Sequence, residues 1–104
     1  MRGGVWDARL PQPIGEHPVV LLTTNVLIPR LSAVTVAVIT GNEGPPSTHV
    51  RLDRDAGLTG YDVSYVNATD IHSIAKSRLR RQRGRLILPE LERVEGAVRD
   101  YLGL

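Results

Sequence analysis

The chain contains no cysteine and no phenylalanine, and only one tryptophan, one methionine and three tyrosines. Without thiols there can be no disulfide, no thiolate nucleophile and no sulfur ligand for a metal, a composition that suits a reducing compartment. With so few aromatic rings the core must be aliphatic, and base stacking on an aromatic platform is disfavoured. A peptide-binding groove of the aromatic-lined kind is disfavoured for the same reason. No apolar run approaches the roughly 20 residues needed to span a bilayer. The opening Met1-Arg2-Gly3-Gly4 lacks the apolar core of a signal peptide, so a cytoplasmic location without membrane attachment is expected. The G-x-x-x-x-G-K-[ST], G-x-G-x-x-G and G-x-S-x-G patterns are all missing. His17, His49 and His72 show no metal-ligand spacing, and neither a metal nor a cofactor is expected.

What is present is a chain of 104 residues, 41% hydrophobic and 23% charged, long enough for one domain, residues 1–104, with one modest core. Net charge is only +2, yet of the 13 basic residues all but Lys76 are arginine. A guanidinium grips phosphate through a planar fork that an ammonium lacks, which tilts the expectation toward anionic partners.

The patterning is mainly β. Val5 to Leu10 alternates as a first strand, and Pro11, Pro13 and Gly15 interrupt it. Residues 18–24 and 34–40 are β-branched apolar runs joined by a short connection, which predicts an antiparallel hairpin. Val19 to Leu22 is continuously apolar, as in a strand buried on both faces. Setting residue 18 opposite 40 brings His17 and Thr40-Gly41 to one end of the sheet. Residues 47–52 and 61–68 read as further strands, the latter continuing past a bulge into 71–74, with a turn at 53–57 between them. Lys76 to Leu79 reads as a helical turn and Arg83 to Ile87 as a short last strand. From Pro89 the period lengthens: Leu91, Val94, Val98, Tyr101 and Leu102 form one helical stripe, ended by Gly103. Leu88 is a poor cap, so the first turn of that helix is expected to fray or to be held by packing. About five strands and a terminal helix imply a small SH3-like barrel or twisted antiparallel sheet.

Two places carry possible chemistry. His17 bears an imidazole, the side chain suited to moving protons near neutral pH, with Glu16 as a neighbouring acid; a surface or capping histidine is the plainer alternative. Thr40, Gly41 and Asn42 offer a hydroxyl and backbone donors to a phosphate, or simply close a strand. The basic run from Lys76 to Arg85 suits phosphates or an acidic protein equally well.

The order of segments resembles the MazF/PemK toxins of toxin–antitoxin systems. Arg2-Gly3-Gly4-Val5-Trp6 resembles the opening R-G-[ED]-[IV]-W strand, and His17-Pro18-Val19-Val20 through Asn25 resembles R-P-V-[LV]-[IV]-[IV]-[ST]-N. Ala37 to Gly41 resembles [VA]-x-[ILV]-T-[SG], Thr48-His49-Val50 follows as T-H-V, and Val66-Asn67 to Ile74 resembles V-N-x-x-Q-I-R-T-[IV]. Gly84-Arg85-Leu86 and Glu90 to Val94, ending at Leu104, resemble the terminal G-x-[LV] and E-[LM]-x-x-[IV]…L-G-L.

The resemblance implies a homodimeric endoribonuclease that cuts single-stranded RNA at short sequences without a metal. The ends it would leave are a 2′,3′-cyclic phosphate and a 5′-hydroxyl. It also implies a cognate antitoxin whose acidic C-terminal tail covers the RNA groove, with operator DNA reached only through that antitoxin. The family's catalytic threonine corresponds to Thr40 and its catalytic arginine to His17, which is the main departure. Its acidic loop residue corresponds to Glu16. Asn25, Gly41, Asn42, Asn67, Asp70 and His72 are the candidate RNA contacts, with Asp70-Ile71-His72-Ser73 standing where the family has Q-I-R-T. Two readings follow: an RNA-cutting toxin, or a weak or inactive relative that serves as an antitoxin-binding regulatory partner.

Overall fold

The computed structural model describes residues 1–52 and 63–104. Six strands form one antiparallel sheet: β1 (Gly4–Arg9), β2 (Glu16–Leu21), β3 (Ala33–Thr40), β4 (His49–Leu52), β5 (Ser64–Ala75) and β6 (Leu79–Arg85). Their spatial order is β4-β5-β3-β2-β1-β6, so β4 and β6 are edges and the sheet is open rather than a closed barrel. Among the described residues one α-helix, α1 (Leu88–Leu102), follows the strands. The last strand, expected at Arg83 to Ile87, begins at Leu79 and ends at Arg85. Its arginines give no apolar signal, because an edge strand is held by backbone pairing with β1 and needs little side-chain burial. The turn expected at 53–57, and the first two residues of the 61–68 strand, lie outside the described residues.

The sheet is covered on both faces. On one, Val20, Ala37, Ile39, Val66 and Leu86 pack against Val94 and Ala97 of α1. On the other, Ala8, Val19, Leu21, Val36 and Val38 form a second cluster closed by Trp6, Ile14 and Ile28. Strand alternation explains the division: Val20 faces one cluster and Val19 the other, so the continuous run Val19–Leu22 is buried on both sides. Burying each such valine or leucine stabilises the fold by about 1.5–3 kcal/mol.

Three local devices refine the sequence reading. β2 starts at Glu16, two residues earlier than expected, because Glu16 and His17 pair with Arg9 and Ala8 of β1. In β5 the register against β3 jumps: Val38 pairs with Asn67, but Ala37 pairs with Ile71. The bulge expected between residues 68 and 71 is therefore present, and it changes the face presented by the rest of β5. Lys76–Arg78 forms a 3-10 turn, and Lys76 Nζ donates to Ile28 O at 2.8 Å.

The first turn of α1 does not depend on its capping residue. Glu90, 1% exposed, accepts the Ile87 N–H at 3.1 Å through Oε1, and so holds a backbone donor that Leu88 could not. At the other end Gly103 adopts φ 73°, a left-handed cap that lets Leu104 N donate to Arg99 O at 2.9 Å. Arg2 anchors the amino terminus to the helix, with Nη2 donating to Glu95 Oε2 at 2.7 Å.

Candidate active site

The β2–β3 ladder pairs Val19 with Val38, Val20 with Ala37 and Leu21 with Val36. Continued outward by two residues, it sets His17 across from Thr40. The sequence-based register, with residue 18 opposite 40, differs by one, and in a strand one residue exchanges the two faces. Under that register His17 and Thr40 would point to opposite sides of the sheet. In the structure they share a side.

Other strands extend the row. His17 pairs with Ala8 of β1, Thr40 pairs with Tyr65 of β5, and Tyr65 pairs with Arg51 of β4. Directly paired residues present their side chains to the same face. An imidazole, a threonine hydroxyl, a phenol and a guanidinium thus stand along one end of the sheet on one face. Tyr65 and Arg51 were not picked out from the sequence. Their signal is the polar–apolar alternation of 64–68 and 49–52, which acquires meaning only once the register with β3 is known.

Both candidate catalytic groups are oriented by local contacts. His17 Nδ1 lies 3.3 Å from Pro18 O. A carbonyl only accepts, so this contact requires a proton on Nδ1, and the neutral ring then offers the Nε2 lone pair. Thr40 Oγ1 accepts the Asn42 N–H at 3.1 Å, which fixes the hydroxyl oxygen while leaving its hydrogen to donate. The same contact folds Gly41 and Asn42 back over Thr40 as a small turn, so these three residues are brought together.

The remaining candidates are placed less uniformly. Glu16 precedes His17 in β2 and is exposed, opposite Arg9; strand geometry sends its side chain to the face away from His17. Asn25 follows the far end of β2, where its Oδ1 accepts the Arg2 N–H at 2.7 Å. That is the opposite end of the strand from His17. Asn67 lies on the Thr40 face, paired with Val38 and with His49, but its Oδ1 already accepts from Thr69 N at 3.0 Å and Thr69 Oγ1 at 2.7 Å. His72 Nε2 donates to Asp70 Oδ1 at 2.7 Å across the bulge. Asn67, Asp70 and His72 therefore shape the β5 bulge beside the row.

A small open sheet with a covering helix, displaying an imidazole and a threonine hydroxyl on one face at one strand end, is the arrangement to set beside known proteins. The family model described as "PemK-like, MazF-like toxin of type II toxin-antitoxin system" matches residues 1–102, and the chain belongs to that family. Toxins of this family are endoribonucleases. Among solved structures, the toxin MazF-mt6 of Mycobacterium tuberculosis is 30% identical with a TM-score of 0.86, covering 97% of each chain. An endoribonuclease from a mycobacterial species, in complex with its cognate antitoxin, is 24% identical with a TM-score of 0.86 over 100% of this chain and 95% of its own. A MazE–MazF complex from Deinococcus radiodurans shares the fold at 20% identity, with a TM-score of 0.79 over 99% and 94% of the two chains. No curated protein sequence matches the chain. Among the described residues, no helix is long and apolar enough to cross a membrane.

Proposed function

We propose that this chain is the toxin of a type II pair and a sequence-specific, metal-independent endoribonuclease acting on single-stranded RNA in the cytoplasm. Its products are a 2′,3′-cyclic phosphate and a 5′-hydroxyl. It works as a homodimer and is restrained by a cognate antitoxin with an acidic C-terminal tail, as the antitoxin complexes of its structural neighbours suggest. The observation that carries the reading is the shared face of His17 and Thr40, together with the contact of His17 Nδ1 with Pro18 O, which assigns the ring proton to Nδ1.

In this mechanism His17 Nε2 takes the proton of the ribose 2′-hydroxyl. The 2′ oxygen forms a bond to phosphorus, the bond from phosphorus to the 5′ oxygen breaks, and the leaving 5′ oxygen collects a proton from solvent. Thr40 Oγ1 donates its hydrogen to a non-bridging oxygen as negative charge builds there. The catalytic arginine of the family clamps phosphate with a permanent charge, whereas His17 exchanges a proton. Glu16, on the other face, takes no part in the bond changes.

Expression of the chain without an antitoxin tests the reading directly. Growth arrest and RNA ends of the stated chemistry are expected, unchanged by a chelator. His17→Ala and Thr40→Ala should each lower cleavage by about 10²–10⁴-fold with the fold intact by circular dichroism. His17→Arg exchanges the proton acceptor for the family's permanently charged phosphate clamp and should equal or exceed the wild type by that different route. An inert wild-type chain would leave only the regulatory-partner reading.

A further inference from the structure

Arg9, Ser77, Arg78 and Arg80 line a cleft of about 370 Å³ at the β1–β6 end of the sheet. Arg9 closes β1, and Arg78 ends the 3-10 turn, its Nη1 3.5 Å from Arg9 O. Arg80 is the extra residue of a bulge, since Asp7 pairs with Arg81 and Ala8 with Leu79. Three arginines and a serine therefore line one cleft that, among the described residues, no carboxylate joins. Glu16 lies across from Arg9 in the β1–β2 ladder but does not line the cleft.

Position relates this cleft to the row described above. Ala8 pairs with His17 on one side and with Leu79 on the other, and Leu79 sits between Arg78 and Arg80. Two strand spacings, roughly 10 Å, separate the His17 backbone from that segment. Arg9, paired with Glu16, faces the side of the sheet away from His17, so an RNA strand reaches both by passing round this end of the sheet. We propose that Arg9, Ser77, Arg78 and Arg80 form a subsite for a backbone phosphate of the RNA strand flanking the linkage that is cut. The proposal rests on the endoribonuclease reading and adds a second anchoring point to it.

An acidic peptide is the competing occupant, and two features count against it. The lining has no apolar residue to hold a peptide side chain, and guanidinium forks match phosphate oxygens. The free edge of β6 is also bulged twice, between Val5/Trp6 and Asp7/Ala8 of its partner strand, which spoils it as a template for an added strand.

The test is binding of a short random-sequence RNA with 2′-O-methyl riboses, which cannot be cleaved, measured over a range of salt. Arg80→Gln should weaken binding about tenfold, and Arg78→Gln/Arg80→Gln further. The slope of log affinity against log salt should fall by about 0.7 for the one phosphate lost. Arg80→Lys should restore most of that slope, and Arg85→Gln, remote from the cleft, should change it little. Wild-type affinity and slope in Arg78→Gln/Arg80→Gln, beside a wild type that cuts RNA, overturn the subsite alone. Loss of poly-glutamate binding in that variant with RNA binding intact overturns it in favour of a peptide site. A wild type that neither binds nor cuts RNA overturns the subsite and the enzymatic reading together.

Discussion

The two ends of β6 carry the same residue type to different ends. Toward Arg85, Asp7 of the neighbouring β1 takes up the charge: Arg83 Nη1 lies 3.2 Å from both carboxylate oxygens, and Arg81 Nε is 3.9 Å from one. Asp7 and Arg83 are largely covered, at 18% and 22% exposure, whereas Arg81 is 70% exposed. Toward Leu79, Arg78 and Arg80 line a cleft with Arg9 that no carboxylate of the described residues joins. A covered ion pair holds two strands in register, and an unneutralised cluster adds electrostatic repulsion that an incoming anion relieves. Where a carboxylate pairs with the arginines they are structural; at the cleft, where none of the described residues supplies one, the role proposed for them is binding.

Asp7→Ala should break the comparison most strongly. It leaves Arg83 partly buried without this acid, at about 2 kcal/mol of stability by denaturant unfolding. Ser77→Asp should make the open end resemble the neutralised one. Its expected effect is about a tenfold loss of RNA affinity, roughly 1.4 kcal/mol, with stability within about 0.5 kcal/mol of wild type. Arg83→Lys keeps the charge but not the fork, and should lower stability by less than about 1 kcal/mol in the same unfolding assay. Smallest of all, Arg85→Gln, exposed at the strand end, should shift the unfolding midpoint hardly at all. Equal destabilisation by Arg80→Gln and Arg83→Gln would erase the distinction between the two ends.

Much of this architecture was legible residue by residue. The β-branched run in β2, the bulge in β5, the turn at Lys76 and the stripe along α1 all follow from local preference and period. The extent of β6 was not, because a strand of arginines on a sheet edge has no hydrophobic alternation to reveal it. Nor was the neighbourhood of β1 and β6, which joins the amino-terminal strand to one more than seventy residues later. Within the candidate site, His17 and Thr40 were legible as chemistry, but their common face was not. A one-residue difference in hairpin register separates the sequence expectation from the structure, and turn geometry with long-range pairing sets it.

Local chemistry alone therefore specified a β-rich aliphatic chain with a terminal helix, an imidazole, a threonine hydroxyl and a surplus of arginine. Only the folded arrangement decided which of those groups share a face, and which arginines find an acid. The reason is physical: side-chain identity and period are properties of neighbouring residues, whereas register and charge neutralisation arise from hydrogen bonds and contacts between segments far apart in the chain.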